Sequence, residues 1–229
     1  MATPLPTSVQ MSVSALAPAC LPAILQVHDL SFSYPGRPVF TGWCADIHPG
    51  LHWLRGANGS GKSTLLKLLG GALPPLAGRL QVQGVDADTQ PLQYRRRVFW
   101  CGPGAIAFEH LRAPEYFGFL LDLYPQLDTT ALQAHIQGLG LMPFTRPRLR
   151  ELSTGTQRKV WLAAALAVAT PLVLLDEPLN ALDAASLAYV HAQLALCAGS
   201  ATQAWLVASH EALGAAGLDA RPLQLQLQQ

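Results

Sequence analysis

A chain of 229 residues, half of them hydrophobic, can bury a substantial core as one large domain or as a domain with a lobe. Fifteen basic residues against fourteen acidic ones leave a net charge of +1, which supplies no global field to draw in nucleic acid or an anionic membrane surface, so no nucleic-acid partner is expected. Cys20, Cys44, Cys101 and Cys197 form no Cys-x-x-Cys pair, which argues against both a zinc site and a disulfide framework and fits a reducing cytoplasm.

The first 22 residues are rich in Pro, Ser, Thr and Ala, and the first basic residue of the chain is Arg37. A secretory signal needs a positive start and an unbroken apolar core. Residues 1–22 are therefore expected to be a disordered leader, or the product of an early start codon with Met11 as the true start, ahead of one domain over 23–229. Short strands are expected over Ile24 to Val27 and around Phe32, with Tyr34-Pro35-Gly36 as a turn. The Tyr34 ring could stack on a base or simply pack at a strand end.

Gly50-Leu51-His52-Trp53-Leu54-Arg55 alternates apolar and polar residues as a strand does, and Thr64 to Leu69 has the buried stripe of a short helix. Between them lies Gly56-Ala57-Asn58-Gly59-Ser60-Gly61-Lys62-Ser63-Thr64. Gly56, Gly59 and Gly61 tolerate positive φ and leave room for close approach, so successive backbone amides can point into one concavity that binds phosphate. A helix starting near Lys62 adds the positive end of its dipole. The Lys62 ammonium can reach the outer phosphates and the Ser63 hydroxyl can ligate Mg²⁺. This is the pattern of a nucleoside triphosphate site.

Further along, Pro74 to Gly78 is a break and Arg79 to Gly84 alternates like a strand. Val98-Phe99-Trp100-Cys101 is another expected strand, ending at Gly102-Pro103-Gly104. Arg95-Arg96-Arg97 and the Arg146, Arg148, Arg150 series read as solvated faces. Pro114 starts a helix and Thr129 to Gly138 reads as a second, giving an inserted helical lobe over about 105–150. Leu152-Ser153-Thr154-Gly155-Thr156 leads into a buried helix expected over Gln157 to Ala169. The longest apolar run, Val160 to Leu175, is broken by Thr170-Pro171 and is too short to span a bilayer.

Leu172-Val173-Leu174-Leu175 is the continuous apolar run of a strand buried on both faces of a parallel sheet, and it ends in Asp176-Glu177-Pro178. Carboxylates at that end of a strand lie where α/β sheets bind ligands. Asp176 can hold the Mg²⁺ shell, and Glu177 can orient or deprotonate an attacking water. Asn180 to Asp183 precedes a helix expected over Ala184 to Leu196, and a last strand, Trp205 to Ala208, ends in Ser209-His210. His210 would lie beside the acids, within reach of a γ-phosphate.

The order of these pieces resembles the ATP-binding cassette (ABC) family over about Ile24 to His210, on the phosphate loop, Leu152 to Thr156, Leu172 to Pro178, Ala181-Leu182-Asp183 and Ser209-His210. The Leu152 to Thr156 segment is similar to the LSGGQ signature that separates cassettes from other P-loop proteins. The resemblance implies an α/β fold: a P-loop NTPase (RecA-like) core, an N-terminal antiparallel β subdomain and an inserted helical subdomain. It implies an ATPase that uses ATP and Mg²⁺ and forms a head-to-tail dimer. Ser153 and Gly155 of one subunit would close the phosphate loop of the other. By the same resemblance Tyr34 would stack on adenine, Glu177 would be the catalytic carboxylate, His210 the γ-phosphate sensor and Asp183 an interface residue.

Two segments depart from the family pattern. Thr154 and Thr156 stand where the family has Gly and Gln, and no glutamine occurs between Val98 and Ala113, where the family places one at the metal site. A lone cassette implies a permease on another chain, docked on the helical lobe, and a peripheral place on the cytoplasmic face of the membrane. Tyr94 to Leu111 and the compact size are similar to small export cassettes of the haem-exporter type. The alternative is a soluble cassette acting on DNA or ribosomes, but the coiled coils, zinc hooks or second cassette of such relatives are not visible.

Overall fold

The computed structural model describes residues 21–102, 108–210 and 219–224. All but the last two residues of the expected leader lie outside the described residues, as do Pro103, Gly104 and the first residues of the expected lobe.

The chain opens with a hairpin, β1 (Leu25–Tyr34) and β2 (Arg37–Ile47), turned by Pro35-Gly36 with Gly36 at φ 71°. With β4 (Ala77–Val82) and β5 (Val85–Asp86) it forms an antiparallel sheet in the order β2-β1-β4-β5. One long first strand replaces the two short ones expected. Its register with β2 slips between Val27 and Leu30 and again before Phe32. Asp29 at the slip has φ 50° and donates its amide to Cys44 Sγ at 3.2 Å. Each slip resets the inside–outside alternation, so the pattern reads as two strands.

The second sheet is parallel, in the order β6-β7-β8-β3-β9, from β3 (Gly50–Arg55), β6 (Val98–Cys101), β7 (Leu172–Asp176), β8 (Ala204–Ala208) and β9 (Arg221–Gln224). Both faces are covered. Leu172, Leu174, Leu206 and Leu54 point into a core shared with the antiparallel sheet and with α1 (Lys62–Leu69), which buries Leu65, Leu66, Leu68 and Leu69. Val173, Leu175, Trp205 and Val207 point the other way, into a core closed by α3 (Ala113–Leu123), α4 (Thr129–Gly138), α5 (Thr154–Ala167) and α6 (Ala184–Ala198). This two-sided burial is the physical reason for the unbroken apolar run at Leu172 to Leu175. Leu174→Ala, at a fully buried position, should cost about 2–5 kcal/mol, read as a lower urea midpoint with an unchanged slope.

Three strand ends meet at one edge because the strands are parallel. β3 runs into the phosphate loop, its neighbour β8 into Ser209-His210, and β7, next to β8, into Asp176-Glu177. The short helix α2 (Pro91–Arg95), not among the expected elements, precedes β6 and lodges Tyr94 in the first core, its hydroxyl donating to Leu69 O at 2.7 Å. Helix α5 begins three residues before the expected Gln157. Ser153 accepts from the Thr156 amide at 3.2 Å, and this cap outweighs the poor helix propensity of Thr154-Gly155-Thr156.

Candidate nucleotide site

At the shared edge lies an open cleft of about 690 Å³ lined by Asn58 to Thr64 from the loop, Glu177 and His210 from the strand ends, and Tyr34, Arg37, Pro38 and Val39 from the first hairpin. Gly59 and Gly61 adopt positive φ, 77° and 94°, whereas Gly56 does not. Gly61 is also pinned by space: a Cβ there would stand 2.8 Å from Val39 Cγ1 and 3.1 Å from Phe40 Cζ. The hairpin thus packs directly on the loop. Gly56 does not line the cleft but sits beneath it, where its carbonyl accepts from Lys62 Nζ at 2.8 Å, with Ala57 O a second acceptor at 3.3 Å. The buried Ser60 hydroxyl has no partner among the described residues.

Tyr34 ends β1 with its ring half in solvent, edge-on to Phe32 at 5.0 Å between centroids, and its hydroxyl lies 3.3 Å from Thr64 Oγ1. Arg37 was not expected at the site; its guanidinium donates to Gly59 O at 3.2 Å. Only its rank as the first basic residue, just after the aromatic, could have drawn notice.

Asp176 is buried at the end of β7, and its Oδ2 has no partner among the described residues. Glu177 follows in a left-handed conformation, φ 49°, rare for a residue with a side chain. Its amide donates to Ala208 O at 2.9 Å, and its backbone carbonyl accepts from Arg158 Nη1 on α5. Its Oε1 stands 3.1 Å from His210 Nε2, off-line for a hydrogen bond, while Oε2 accepts from the His210 amide at 3.4 Å. Cys101, across the sheet on β6, is an inert thiol, since burial pushes it up to about 12 against a smaller opposing pull from Arg158.

Ser153, Gly155 and Asp183 form a separate group that does not line the cleft. Ser153 caps α5, and Gly155 packs so tightly on the next loop that a Cβ would fall 2.4 Å from Ala181 O. Asp183 caps α6, accepting from the Ser186 amide at 2.9 Å, and pairs with Lys159 of α5. The Lys159 ammonium, aided by Ser186, holds the Asp183 carboxyl below the usual carboxylate range. The family's glutamine after β6 has no counterpart in Gly102, and the residues next along the chain lie outside those described.

The sequence profile of the family described as ABC transporter matches residues 46–180. The chain is 33% identical over 175 residues to the cytochrome c biogenesis ATP-binding export protein CcmA of Pseudomonas savastanoi pv. phaseolicola, covering 76% of this chain and 82% of that one. It is also 33% identical to the putrescine transport ATP-binding protein PotG of Escherichia coli, over 71% of this chain but 44% of that one. The solved ATP-binding subunit of an ABC transporter superposes with a TM-score of 0.79 at 22% identity, covering 89% of this chain and 86% of that one, a likeness of fold.

Proposed function

The chain belongs to the ABC transporter family as an ATP-binding, ATP-hydrolysing subunit, and from that premise we propose that it powers a separate membrane permease through ATP-driven head-to-tail dimerisation. The observation that carries this reading is the convergence of the phosphate loop, Tyr34, Glu177 and His210 on one cleft, with a buried Asp176 oxygen that has no partner among the described residues. Among the described residues no helix is long and apolar enough to cross a membrane; the likeness to ATP-binding subunits of transporters supports a permease on another chain and a peripheral place at the cytoplasmic face. The helical segment over about 105–150 is the proposed docking surface. The fuller coverage of the export-type relative favours the export class over the longer putrescine-type one.

In this reading Tyr34 stacks on the adenine, and the amides of Asn58 to Ser63 with Lys62 hold the phosphates. The Ser63 hydroxyl and Asp176 suit Mg²⁺, which when bound would neutralise charge on the outer phosphate oxygens. Glu177 takes a proton from water as the water oxygen bonds to the γ-phosphorus. The bond from that phosphorus to the bridging oxygen then breaks and ADP leaves. His210 hydrogen-bonds the γ-phosphate. Ser153 and Gly155 of the second subunit close the site, with Asp183 at the interface.

Two experiments test the reading. Lys62→Ala, which removes the only ammonium lining the cleft among the described residues, should weaken ATP binding about 10–100-fold, measured by equilibrium titration; unchanged affinity would place the phosphates elsewhere. Affinity capture of the tagged chain from detergent-solubilised membranes should retain a multi-span membrane protein at a fixed ratio. Co-purification with ribosomes or DNA in its place would overturn the transport role.

A further inference from the structure

We propose that Arg158 is a positioning residue for Glu177, holding the catalytic loop to the start of helix α5. A left-handed backbone at a residue with a side chain persists only where its surroundings over-determine it. Glu177 has φ 49°, and three elements hold it: Ala208 O of β8 accepts its amide at 2.9 Å, the Asn180 amide reaches its carbonyl at 3.4 Å, and the Arg158 guanidinium donates to that same carbonyl. Of these contacts to the Glu177 backbone only that of Arg158 comes from a side chain, and only it is charged; the carboxylate itself accepts at Oε2 from the His210 amide at 3.4 Å and from Asn180 Nδ2 at 3.5 Å. A charge-assisted donor is the strongest of the three in kind.

The guanidinium is committed to this place. Arg158 Nε is buried and finds no partner among the described residues, so the side chain gives up a hydrogen bond to reach Glu177. Its neighbours on α5 hold the rest of the loop. Gly155 packs under the carbonyl of Ala181, a second left-handed residue with φ 61°, and Lys159 pairs with Asp183. The first two turns of α5 therefore grip the loop from Glu177 to Asp183 at both ends and in the middle. Turning the Glu177 peptide would swing its carboxylate away from His210, so the grip sets where the carboxylate points.

The inference rests on Glu177 as the group that handles the attacking water. The test measures steady-state ATP turnover, equilibrium ATP affinity and thermal midpoint for the full chain carrying Arg158→Gln, Arg158→Lys, Glu177→Gln and the Arg158→Gln/Glu177→Gln pair. Arg158→Gln should lower kcat by about 10²-fold, the scale of a small misplacement of a reacting group, with KM and ATP affinity within about threefold. Arg158→Lys, which keeps a cationic donor, should recover most of the loss. On the Glu177→Gln background Arg158→Gln should cost nothing further, because the group it positions is already gone. Turnover unaffected by Arg158→Gln, a parallel loss of ATP affinity, or multiplying losses in the pair would overturn the proposal. The two readings fail separately: an active Glu177→Gln removes the role of Glu177, whereas an inactive Glu177→Gln beside a fully active Arg158→Gln removes only that of Arg158.

Discussion

Glu177→Gln should bind ATP and Mg²⁺ as before and hydrolyse ATP about 10²-fold more slowly or worse. The amide preserves shape and can still accept from the His210 amide through its oxygen, as Oε2 does at 3.4 Å, but it cannot take a proton from water. Glu177 is the sole carboxylate lining the cleft among the described residues, since Asp176 lies buried behind it. With binding intact and turnover blocked, an ATP-bound dimer should accumulate, seen as an earlier peak in size-exclusion chromatography with Mg-ATP. Lys62→Ala should stay at the monomer position in the same run. Near-normal hydrolysis by Glu177→Gln would reject the assignment, and slow hydrolysis without a dimer would locate the weakness in the closing segment, where Thr154 and Thr156 replace the family's residues.

Ser153→Asp is expected to abolish turnover, by about 10²-fold or more, while ATP binding by the monomer is nearly unchanged. Aspartate caps helices as well as serine does, so the bond now made to the Thr156 amide at 3.2 Å survives. What changes, in the proposed dimer, is a negative charge set against the γ-phosphate of the partner's nucleotide. Gly155→Asp, the more obvious substitution, would not separate these effects: its Cβ would collide with Ala181 O of its own chain and displace the loop that carries Glu177. The decisive measurement compares equilibrium ATP titration of dilute monomer with turnover. An equal loss in both would put Ser153 in its own subunit's pocket and refute the head-to-tail arrangement.

The phosphate loop and the acids after Leu175 were legible because their chemistry is local: spacing alone sets glycines, lysine and hydroxyls along a strand–loop–helix, and a doubly buried strand announces itself by composition. The remainder depends on contacts between distant segments. β2 is largely exposed at a sheet edge, and its apolar residues are interrupted by Thr41-Gly42 without a regular alternation, so Arg37 to Ile47 is poorly marked before β1 is in place to pair with it. Arg37 and Arg158 read as two more basic residues until the fold brings the first to Gly59 O and the second to Glu177 O. The start of α5 was hidden because propensity scores Thr154-Gly155-Thr156 without seeing that Ser153 satisfies an orphan amide.

The strand order carries a consequence for how the protein comes into being on the ribosome. β3, which leads into the phosphate loop, pairs with no strand close to it in the chain; its hydrogen-bonded neighbours are β8 and β9, so Leu51 must wait for Trp205 and Trp53 for Pro222. At cellular elongation rates that wait is on the order of ten seconds. The antiparallel sheet, whose strands all lie within the first half of the chain, can assemble in the meantime. Until the later elements emerge, β3 has no strand to pair with and its Leu51 face, which packs in the core of the later helices, has no lasting cover and is open to chaperones or to misassembly. Competence to bind nucleotide thus waits for the last strands, although the phosphate loop is among the first parts made.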